Sequence, residues 1–398
     1  MSLVPTHLAA IVGCGVLYSL AALSAVVPAA AQSGKASAGK LLVYIGGYTK
    51  GKTKGIFIYN MNPSTGFLTP QGVGPDVESP SYLALSPNHR YLYAVNEVDT
   101  FEGKPGGGVS SYKIDPSTGA LTLINAQNSG GTGPCHISTD SAATHILVAN
   151  YGSGSVEVLP VDGADGSLGM PSCLIQHSGS SVDASRQEGP HAHCSIFDPN
   201  DKFAMVCDLG LDKIVAYKYD KTAGTIDSTG VSPGVVAPGS GPRHFVFSKD
   251  GKHGYCVTEM KSTVTAFHYD PSSGALKEFQ TISALPAGFN GNSSGAEIAL
   301  SPDGKFVYSS NRGADNLAIF AVSPRDHTLS LVGHQSTGGK VPRCFGIDPS
   351  GNYIIAANQE SNTLVVFKRN IKTGTLTPTG QTLECPAPVC VVYLKQSK

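Results

Sequence analysis

Short apolar runs recur along the chain after residue 40 and alternate with turns rich in Gly, Pro, Asp, Asn and Ser. In one stretch the runs cover 80–85, 91–95, 109–114 and 120–125. Apolar runs of this length, bounded by turn residues, are typical of β-strands. The pattern therefore predicts an all-β chain.

Two sequence motifs repeat about every 50 residues. The first is a turn that ends in Gly-x-Leu or a close relative, such as DPSTGAL, and its seven copies end at Leu68, Leu121, Leu168, Ile226, Leu276, Leu329 and Leu376. The second is a strand start followed by an apolar run and a turn such as SPDGK, and its seven copies begin at Pro80, Pro134, Ala192, Pro242, Gly295, Pro342 and Pro388. Four strand-like runs in each of seven repeats predict a seven-bladed β-propeller with four antiparallel strands per blade.

The two ends of the repeat array complement each other. The last repeat stops after APVCVVYL, which supplies a single strand, whereas the first runs LLVYIGGYT, GIFIYNMN and FLTP supply three. We therefore expect the N- and C-terminal strands to build one blade together and to close a ring over residues 41–396, which leaves no unpaired edge strand. A linear solenoid and a pair of packed sandwiches are the alternatives.

The first 31 residues have the pattern of an export signal. Residues 8–27 form one apolar run, and Ala29, Ala30 and Ala31 offer small residues for cleavage. We predict a signal peptide at 1–31, a flexible linker at 32–40 and a periplasmic or secreted propeller. The alternative is an uncleaved anchor, because the run is long enough to span a membrane and the segment before it has His7 but no Lys or Arg.

Charge and cysteine content exclude several partners. A net charge of −1 gives no broad field for nucleic acid or for an anionic membrane, and we expect a monomer. Eight cysteines follow Cys14, and no CxxC motif occurs. Most of them lie in apolar strand-like runs, where buried free thiols are the usual outcome. A disulfide between Cys194 and Cys207, across a predicted hairpin, is the alternative.

Polar residues collect at one predicted mouth of the central channel. In an antiparallel blade, the first strand starts on the face where the second strand ends, so these positions from all blades surround one opening. The candidates at this mouth are His136, His191, His193, Arg243, His244, Glu297 and Arg343 near first-strand starts, and Glu97, Glu259, Asn311, Arg312 and Gln359 at second-strand ends. Two long loops, at 168–192 and 276–295, lead to the same mouth, and long loops beside a polar cavity commonly shape a site.

The residue types at this mouth point to an anionic ligand and proton transfer. Arg243, Arg312 and Arg343 offer planar donor forks for carboxylate or phosphate. Histidine and glutamate supply acids and bases for water activation at a carbonyl, with arginine stabilising the developing oxygen charge. No GxSxG, P-loop or HExxH motif occurs. We expect neither metal nor cofactor, because the chain lacks CxxC and the three arginines would repel a calcium ion, which requires carboxylate and amide ligands. The alternative is a structural role for the arginines, in which they form salt bridges between blades.

Several segments carry a family resemblance. GPHAH, GPRHFVFSKDGK, VTEMKSTVTAF, AEIALSPDGKFVYSSNRG and PRCFGIDPSGNYIIAANQES resemble the seven-bladed propeller lactonases, which include propeller-type 6-phosphogluconolactonases and fungal 3-carboxy-cis,cis-muconate lactonising enzymes. The resemblance covers residues 41–394. It implies catalytic roles for His193 of PHAH, Arg243 of PRH, Glu259 of VTE and Arg312 of SNR.

Three functions follow as hypotheses. The first is a metal-independent lactonase that hydrolyses a small anionic sugar-acid lactone, with His193, Glu259, Arg243 and Arg312 catalytic. Substrate binding is then assigned to His191, His136, Arg343, Asn311 and Gln359. The second is an intramolecular lyase of the carboxymuconate cycloisomerase type, and the third is a non-catalytic exported propeller that binds a ligand or a protein. Because 6-phosphogluconolactone is cytosolic, export points to a different lactone or to no lactone substrate at all.

Overall fold

The computed structural model describes residues 41–49, 55–229 and 231–395. The predicted signal peptide and linker, at 1–31 and 32–40, lie outside the described residues. The described chain forms seven antiparallel sheets that each contain a path of four strands. Neighbouring sheets pack face to face in sequence order, and the sheet built from both termini packs against the first and the sixth. The predicted seven-bladed β-propeller is thus confirmed.

We number the blades by the position of their innermost strand in the chain. From the channel outward, the strands are Leu83–Leu85, Tyr91–Asn96, Gly108–Ile114 and Leu121–Asn128 in blade 1; Pro134–Thr139, His145–Asn150, Ser155–Pro160 and Cys173–Gln176 in blade 2; Ala192–Phe197, Phe203–Asp208, Lys213–Asp220 and Thr225–Asp227 in blade 3; Pro242–Phe247, His253–Thr258, Thr263–Tyr269 and Leu276–Ser283 in blade 4; Ser294–Leu300, Phe306–Arg312, Asn316–Val322 and Leu329–Ser336 in blade 5; Pro342–Ile347, Tyr353–Asn358, Thr363–Arg369 and Leu376–Glu384 in blade 6; and Pro388–Lys395, Leu41–Gly47, Phe57–Met61 and Leu68–Val73 in blade 7. The smaller elements are a hairpin of Thr100–Phe101 and Lys104–Pro105, a strand at Gly234–Val235 and a 3-10 turn at Leu209–Leu211.

The hydrophobic core lies between adjacent blades. Second strands such as Tyr91–Asn96 are buried along their whole length, because both faces of the strand contact a neighbouring sheet. Outermost strands such as Leu121–Asn128 bury one end and expose much of the rest. This gradient explains why the inner strands have continuous apolar sequences, as expected for strands covered on both faces.

The ring closes through its two termini, as the sequence predicts. Strand Pro388–Lys395 pairs antiparallel with Leu41–Gly47, from Leu41 opposite Lys395 to Gly47 opposite Pro388. The innermost strand of blade 7 therefore comes from the C-terminus, and the other three come from the N-terminus. Without this closure, the inner edge of Leu41–Gly47 and both edges of Pro388–Lys395 would be unpaired.

The described cysteines, eight in all, are free thiols. Cys194 and Cys207 stand opposite each other on neighbouring strands, yet no disulfide joins them. Seven of the eight are buried, which agrees with their places in apolar strands. In the part of the chain that the structure describes, no helix has the length and apolar character needed to cross a membrane.

Candidate active site

A polar cavity of about 430 Å³ opens at one mouth of the channel. Every blade contributes to it through a first-strand start, a second-strand end or the loop beside them. The lining residues are Tyr48, Glu97, Cys135, Tyr151, Arg186, His193, Glu259, Ser294, Arg312 and Arg343. The cavity has the size of a small-molecule site and combines several cations with two carboxylates.

A repeated β-bulge places side chains in or next to this cavity. In blade 3, Ala192 pairs with Asp208 and Cys194 pairs with Cys207, so His193 between them has no partner in the ladder. The same irregularity follows the first residue of the innermost strand in blades 2, 4 and 6, where it releases Cys135, Arg243 and Arg343. A bulge re-aims the extra residue, which explains why functional residue types stand at the start of an otherwise apolar strand.

Glu259 is the anionic centre of a buried ion cluster. Its Oε1 lies 2.6 Å from Arg186 Nη2, and its Oε2 lies 2.8 Å from Arg312 Nη2 and 3.1 Å from Arg243 Nε. Burial raises the pKa of this carboxyl, but the charges of Arg312, Arg243 and Arg186 outweigh that effect and lower the pKa to about 2. Glu259 therefore stays ionised and organises the arginines, and so low a pKa makes it a weak base.

Arg243 is almost completely buried and lies outside the cavity lining, where it bonds to the lining residue Glu259. Besides Glu259, its Nη1 donates to the carbonyl oxygen of Ala296 at 2.6 Å and to His244 Nε2 at 3.3 Å. Since that nitrogen accepts, His244 carries its proton on Nδ1, which lies 2.9 Å from Glu297 Oε1. These bonds hold Arg243 in place and direct it to Glu259.

Arg343 differs from the other arginines of the cavity. Within the described ranges, its guanidinium has no hydrogen-bond or ion-pair partner, and its central carbon lies 5.5 Å from the centre of the Tyr48 ring. The guanidinium N–H groups are therefore free to bind an anionic or oxyanionic group of a ligand.

His193 is a neutral imidazole in the cavity wall. Burial, followed by the charges of Arg243, His244 and Arg343, holds its pKa well below the usual value. Its Nδ1 lies 3.7 Å from Cys135 Sγ, and its ring meets that of Tyr151 edge-on with centres 5.4 Å apart. The neutral imidazole has a lone pair that can accept a proton from water. The neighbouring cations weaken it as a base, and an anionic ligand in the cavity would offset their effect.

Glu97 is the second carboxylate of the cavity and lacks a cationic hydrogen-bond partner among the described residues. Both its oxygens accept from the Tyr48 hydroxyl, at 2.9 and 3.0 Å, and Oε2 also accepts from the Ser81 hydroxyl. The two cavity carboxylates thus differ in their partners. Glu97 accepts hydrogen bonds from hydroxyl groups, whereas Glu259 forms ion pairs with guanidinium groups.

The structure brings together five of the nine site residues predicted from the sequence. His193, Glu259, Arg312 and Arg343 line the cavity, and Arg243 bonds to Glu259 from outside the lining. The other four lie outside the lining.

Local geometry explains those four positions. His136 follows the bulge, re-enters the ladder opposite Ala149 and packs against the Tyr82 ring, with ring centres 4.2 Å apart. His191 precedes the strand and stacks on Tyr151 with ring centres 4.6 Å apart. Asn311 is buried and donates to the carbonyl oxygen of Ala284. The backbone N–H of Gln359 donates to the carbonyl oxygen of Val341, just past the end of a second strand.

The sequence analysis did not single out Arg186, Tyr48, Tyr151, Cys135 or Ser294 as site residues. Arg186 comes from the long loop at 168–192, which confirms that this loop shapes the mouth. One sequence feature could have identified Arg186 as a site residue, because it is the only Lys or Arg in that loop. The two tyrosines and Cys135 gave no comparable signal, because these residue types are common in apolar strands.

Replacing Glu259 with Gln is expected to lower the free energy of unfolding by about 3–5 kcal/mol, the cost of breaking a buried ion pair. The substitution leaves Arg243 and Arg312 buried without a counter-charge. Chemical denaturation at neutral pH measures the loss. Because the pKa of Glu259 is lowered in the fold, its contribution is present above the ordinary pKa near 4.5 and disappears as the pH falls towards 2.

The matched control is Glu97→Gln, at the other cavity carboxylate. That change removes no ion pair between described residues, so we expect a loss of about 1 kcal/mol, typical of a weakened hydrogen bond. Equal losses for the two variants at neutral pH would contradict the assignment of Glu259 as the centre of the cluster.

Comparison with known proteins places the chain in a family. Residues 42–393 match the family described as "Lactonase, 7-bladed beta-propeller". The 6-phosphogluconolactonase of Bacillus subtilis (strain 168) is 38% identical over 357 residues, which cover 90% of this chain and 99% of that protein. The 6-phosphogluconolactonase of Formosa agariphila is 36% identical, with 84% and 94% covered. The structure of the periplasmic gluconolactonase of Pseudomonas aeruginosa matches with a TM-score of 0.83 at 32% identity, covering 90% of this chain and all of that one. The chain belongs to the seven-bladed β-propeller lactonase family.

Proposed function

We propose that this protein hydrolyses a sugar-acid lactone that carries a negatively charged group, and that Arg343 binds that group. The observation that carries the proposal is the free guanidinium of Arg343 in a cavity that also contains the neutral His193. Lactonase relatives at 36–38% identity support the reaction class. The muconate cycloisomerase alternative gains no support from these relatives, which are named as lactonases.

The proposed reaction is attack of water on the ester carbonyl. His193 accepts a proton as the water oxygen bonds to the carbonyl carbon, and the carbonyl oxygen becomes an oxyanion. Arg312 lines the cavity next to Glu259 and is the proposed stabiliser of that oxyanion. When the ring C–O bond breaks, His193 returns the proton to the leaving alkoxide, which gives the open hydroxy acid. The carboxylic acid product loses its proton to solvent.

Glu259 sets the electrostatics of this site without transferring a proton. It neutralises part of the charge of Arg186, Arg243 and Arg312, so the cavity keeps a positive surplus that suits an anionic substrate. Without this carboxylate, the guanidinium groups would repel one another inside a poorly solvated space. We therefore assign Glu259 a positioning role, although the sequence resemblance implies a catalytic one.

We also propose that the protein acts outside the cytoplasm. The apolar run at 8–27 and the alanines that follow it support export. The relative from Pseudomonas aeruginosa is named as a periplasmic gluconolactonase. A sugar-acid lactone available in that compartment is then the substrate class.

The substrate is tested with a panel of sugar lactones, with and without a phosphate or carboxylate group, together with muconates. The wild type is expected to turn over charged lactones best. Arg343→Lys keeps the charge but loses the planar fork, and it should raise KM by about 10–100-fold for charged lactones, the scale of one charge-assisted bond. Neutral lactones should show little change.

Three outcomes would contradict the proposal. If Arg343→Lys lowers kcat equally for charged and neutral lactones, Arg343 acts on the reacting carbonyl and does not bind the charged group. If neither a lactone nor a muconate is turned over, the protein is a binding propeller. Turnover of muconates alone would establish the cycloisomerase instead.

A further inference from the structure

Asp250, His253 and His327 form a cluster far from the candidate active site. Asp250 lies in the turn between the first two strands of blade 4, His253 begins the second strand, and His327 lies in the last turn of blade 5. The second strand runs from His253 to Thr258, directly before Glu259. At about 3.3 Å per residue, the cluster lies about 20 Å from the cavity, on the opposite face of the propeller.

The three side chains converge on one point. His253 Nδ1 and His327 Nε2 each lie 3.2 Å from Asp250 Oδ2. The two imidazole rings stack with centres 3.9 Å apart and an angle of 12° between their planes. One donor atom from each residue lies within 4.8 Å of the other two. Two imidazoles from different blades thus face a single carboxylate.

The repeats of the same chain show that this arrangement departs from the blade pattern. At the position of His327, the other six blades have glycine with positive φ, namely Gly66, Gly119, Gly166, Gly224, Gly274 and Gly374. His327 adopts the same left-handed conformation, with φ of 59°, which is uncommon for a residue with a side chain. Blade 5 therefore places an imidazole where the fold otherwise has no side chain.

The residue that faces His327 across the blade junction, His253, departs from the pattern of the other blades as well. In four blades the turn glycine packs against an aromatic ring that begins the second strand of the preceding blade: Tyr353, Tyr91, Phe203 or Phe306. At the junction between blades 2 and 3, His145 faces Gly224. Among these junctions, histidine stands on both sides only between blades 4 and 5. The junction between blades 4 and 5 therefore has two side chains of a type that binds metal ions, where four other junctions have a glycine against an aromatic ring.

The cluster can be reached from solvent. All three side chains are partly exposed, so an ion can enter without a rearrangement of the blades.

We propose that Asp250, His253 and His327 bind a divalent transition metal ion of the zinc, nickel or copper type, which joins blades 4 and 5. Two imidazoles and one carboxylate suit these ions, whereas calcium and magnesium prefer oxygen ligands. Three protein ligands leave at least one position for water. The proposal is independent of the lactonase function, because the cluster lies on the opposite face.

The test is titration of the tag-free protein with Zn²⁺, followed by calorimetry and by thermal unfolding. The wild type should bind one ion per chain, and its Tm should rise with zinc concentration because the ion binds only the folded state. His327→Gly restores the residue of the other six blades in a conformation that glycine adopts freely. It should fold normally, bind zinc at least about 10–100-fold more weakly and lose the zinc-dependent rise in Tm.

His89→Gly is the matched control. His89 also has φ of 59° but lies in an exposed turn of blade 1, so this variant should bind zinc like the wild type. His253→Tyr, which restores the aromatic residue of other blades, should repeat the loss seen with His327→Gly. Equal zinc binding by the wild type and His327→Gly, or no binding by the wild type, would overturn the proposal. Lactone turnover provides a separate readout that the His327 variant should leave unchanged.

Discussion

Replacing His193 with glutamine is expected to lower the turnover of a lactone substrate by about 10²–10⁴-fold, the usual contribution of general acid–base catalysis. Glutamine fills a similar space and keeps hydrogen-bonding capacity, but it cannot carry a proton from water to the leaving alkoxide. The surroundings of His193 hold its pKa well below the ordinary value, so the imidazole is in its basic form at neutral pH. Steady-state kinetics on the best lactone of the panel measures the effect.

Thermal unfolding of the same variant separates catalysis from structure. His193 reaches the cavity from a bulge and makes no ladder pair, so Tm should stay close to that of the wild type. His334→Gln is the control, because His334 lies on the outermost strand of blade 5 and bonds to the carbonyl oxygen of Ala284. That variant should keep full turnover. Unchanged turnover together with a large fall in Tm for His193→Gln would make the residue structural and would favour the binding-propeller hypothesis.

Deleting residues 388–398 is expected to abolish cooperative folding. The deletion removes the innermost strand of blade 7, which pairs with Leu41–Gly47 along its length. Cys390 and Leu394 of this strand pack into the core shared with blade 1, and Val391 packs into the core shared with blade 6. Their loss opens both the hydrogen-bonded edge and two hydrophobic clusters.

Circular dichroism melts and urea unfolding measure the result of this truncation. A broad transition without a clear midpoint is the expected outcome, since the ring no longer closes. Removing only residues 396–398, which follow the strand, is the control and should leave the melt unchanged. If the longer deletion melted like the full chain, closure by the two termini would not be what holds the propeller together.

Much of the site could be predicted because a bulge recurs at equivalent positions. First-strand starts such as His193 and Arg343 carry polar residues in a position that apolar packing does not require. The same rule also selected His136, which the ladder turns away from the cavity one residue after the bulge. The sequence pattern identifies which strand starts surround the mouth. It does not show which of two adjacent residues at such a start is the bulged one that faces the cavity.

The sequence by itself determined the seven blades, the four strands in each blade and the closure by both termini. These features follow from local alternation of apolar runs and turns, which repeats and can therefore be counted along the chain. The pattern also located the polar mouth, because chemistry-bearing side chains stand out against apolar strands.

Tertiary structure alone decided how the polar side chains share their partners. Glu259 faces arginines from three separate parts of the chain, Arg186, Arg243 and Arg312. Among the described residues, the Arg343 guanidinium has no hydrogen-bond or ion-pair partner and only contacts the Tyr48 ring. Similarly, His253 and His327 meet only because two neighbouring blades pack side by side. Distances between residues remote in sequence depend on the packing of whole blades, and short-range periodicity carries no information about them. For this reason the architecture could be predicted from local pattern, whereas the electrostatics of both clusters required the fold.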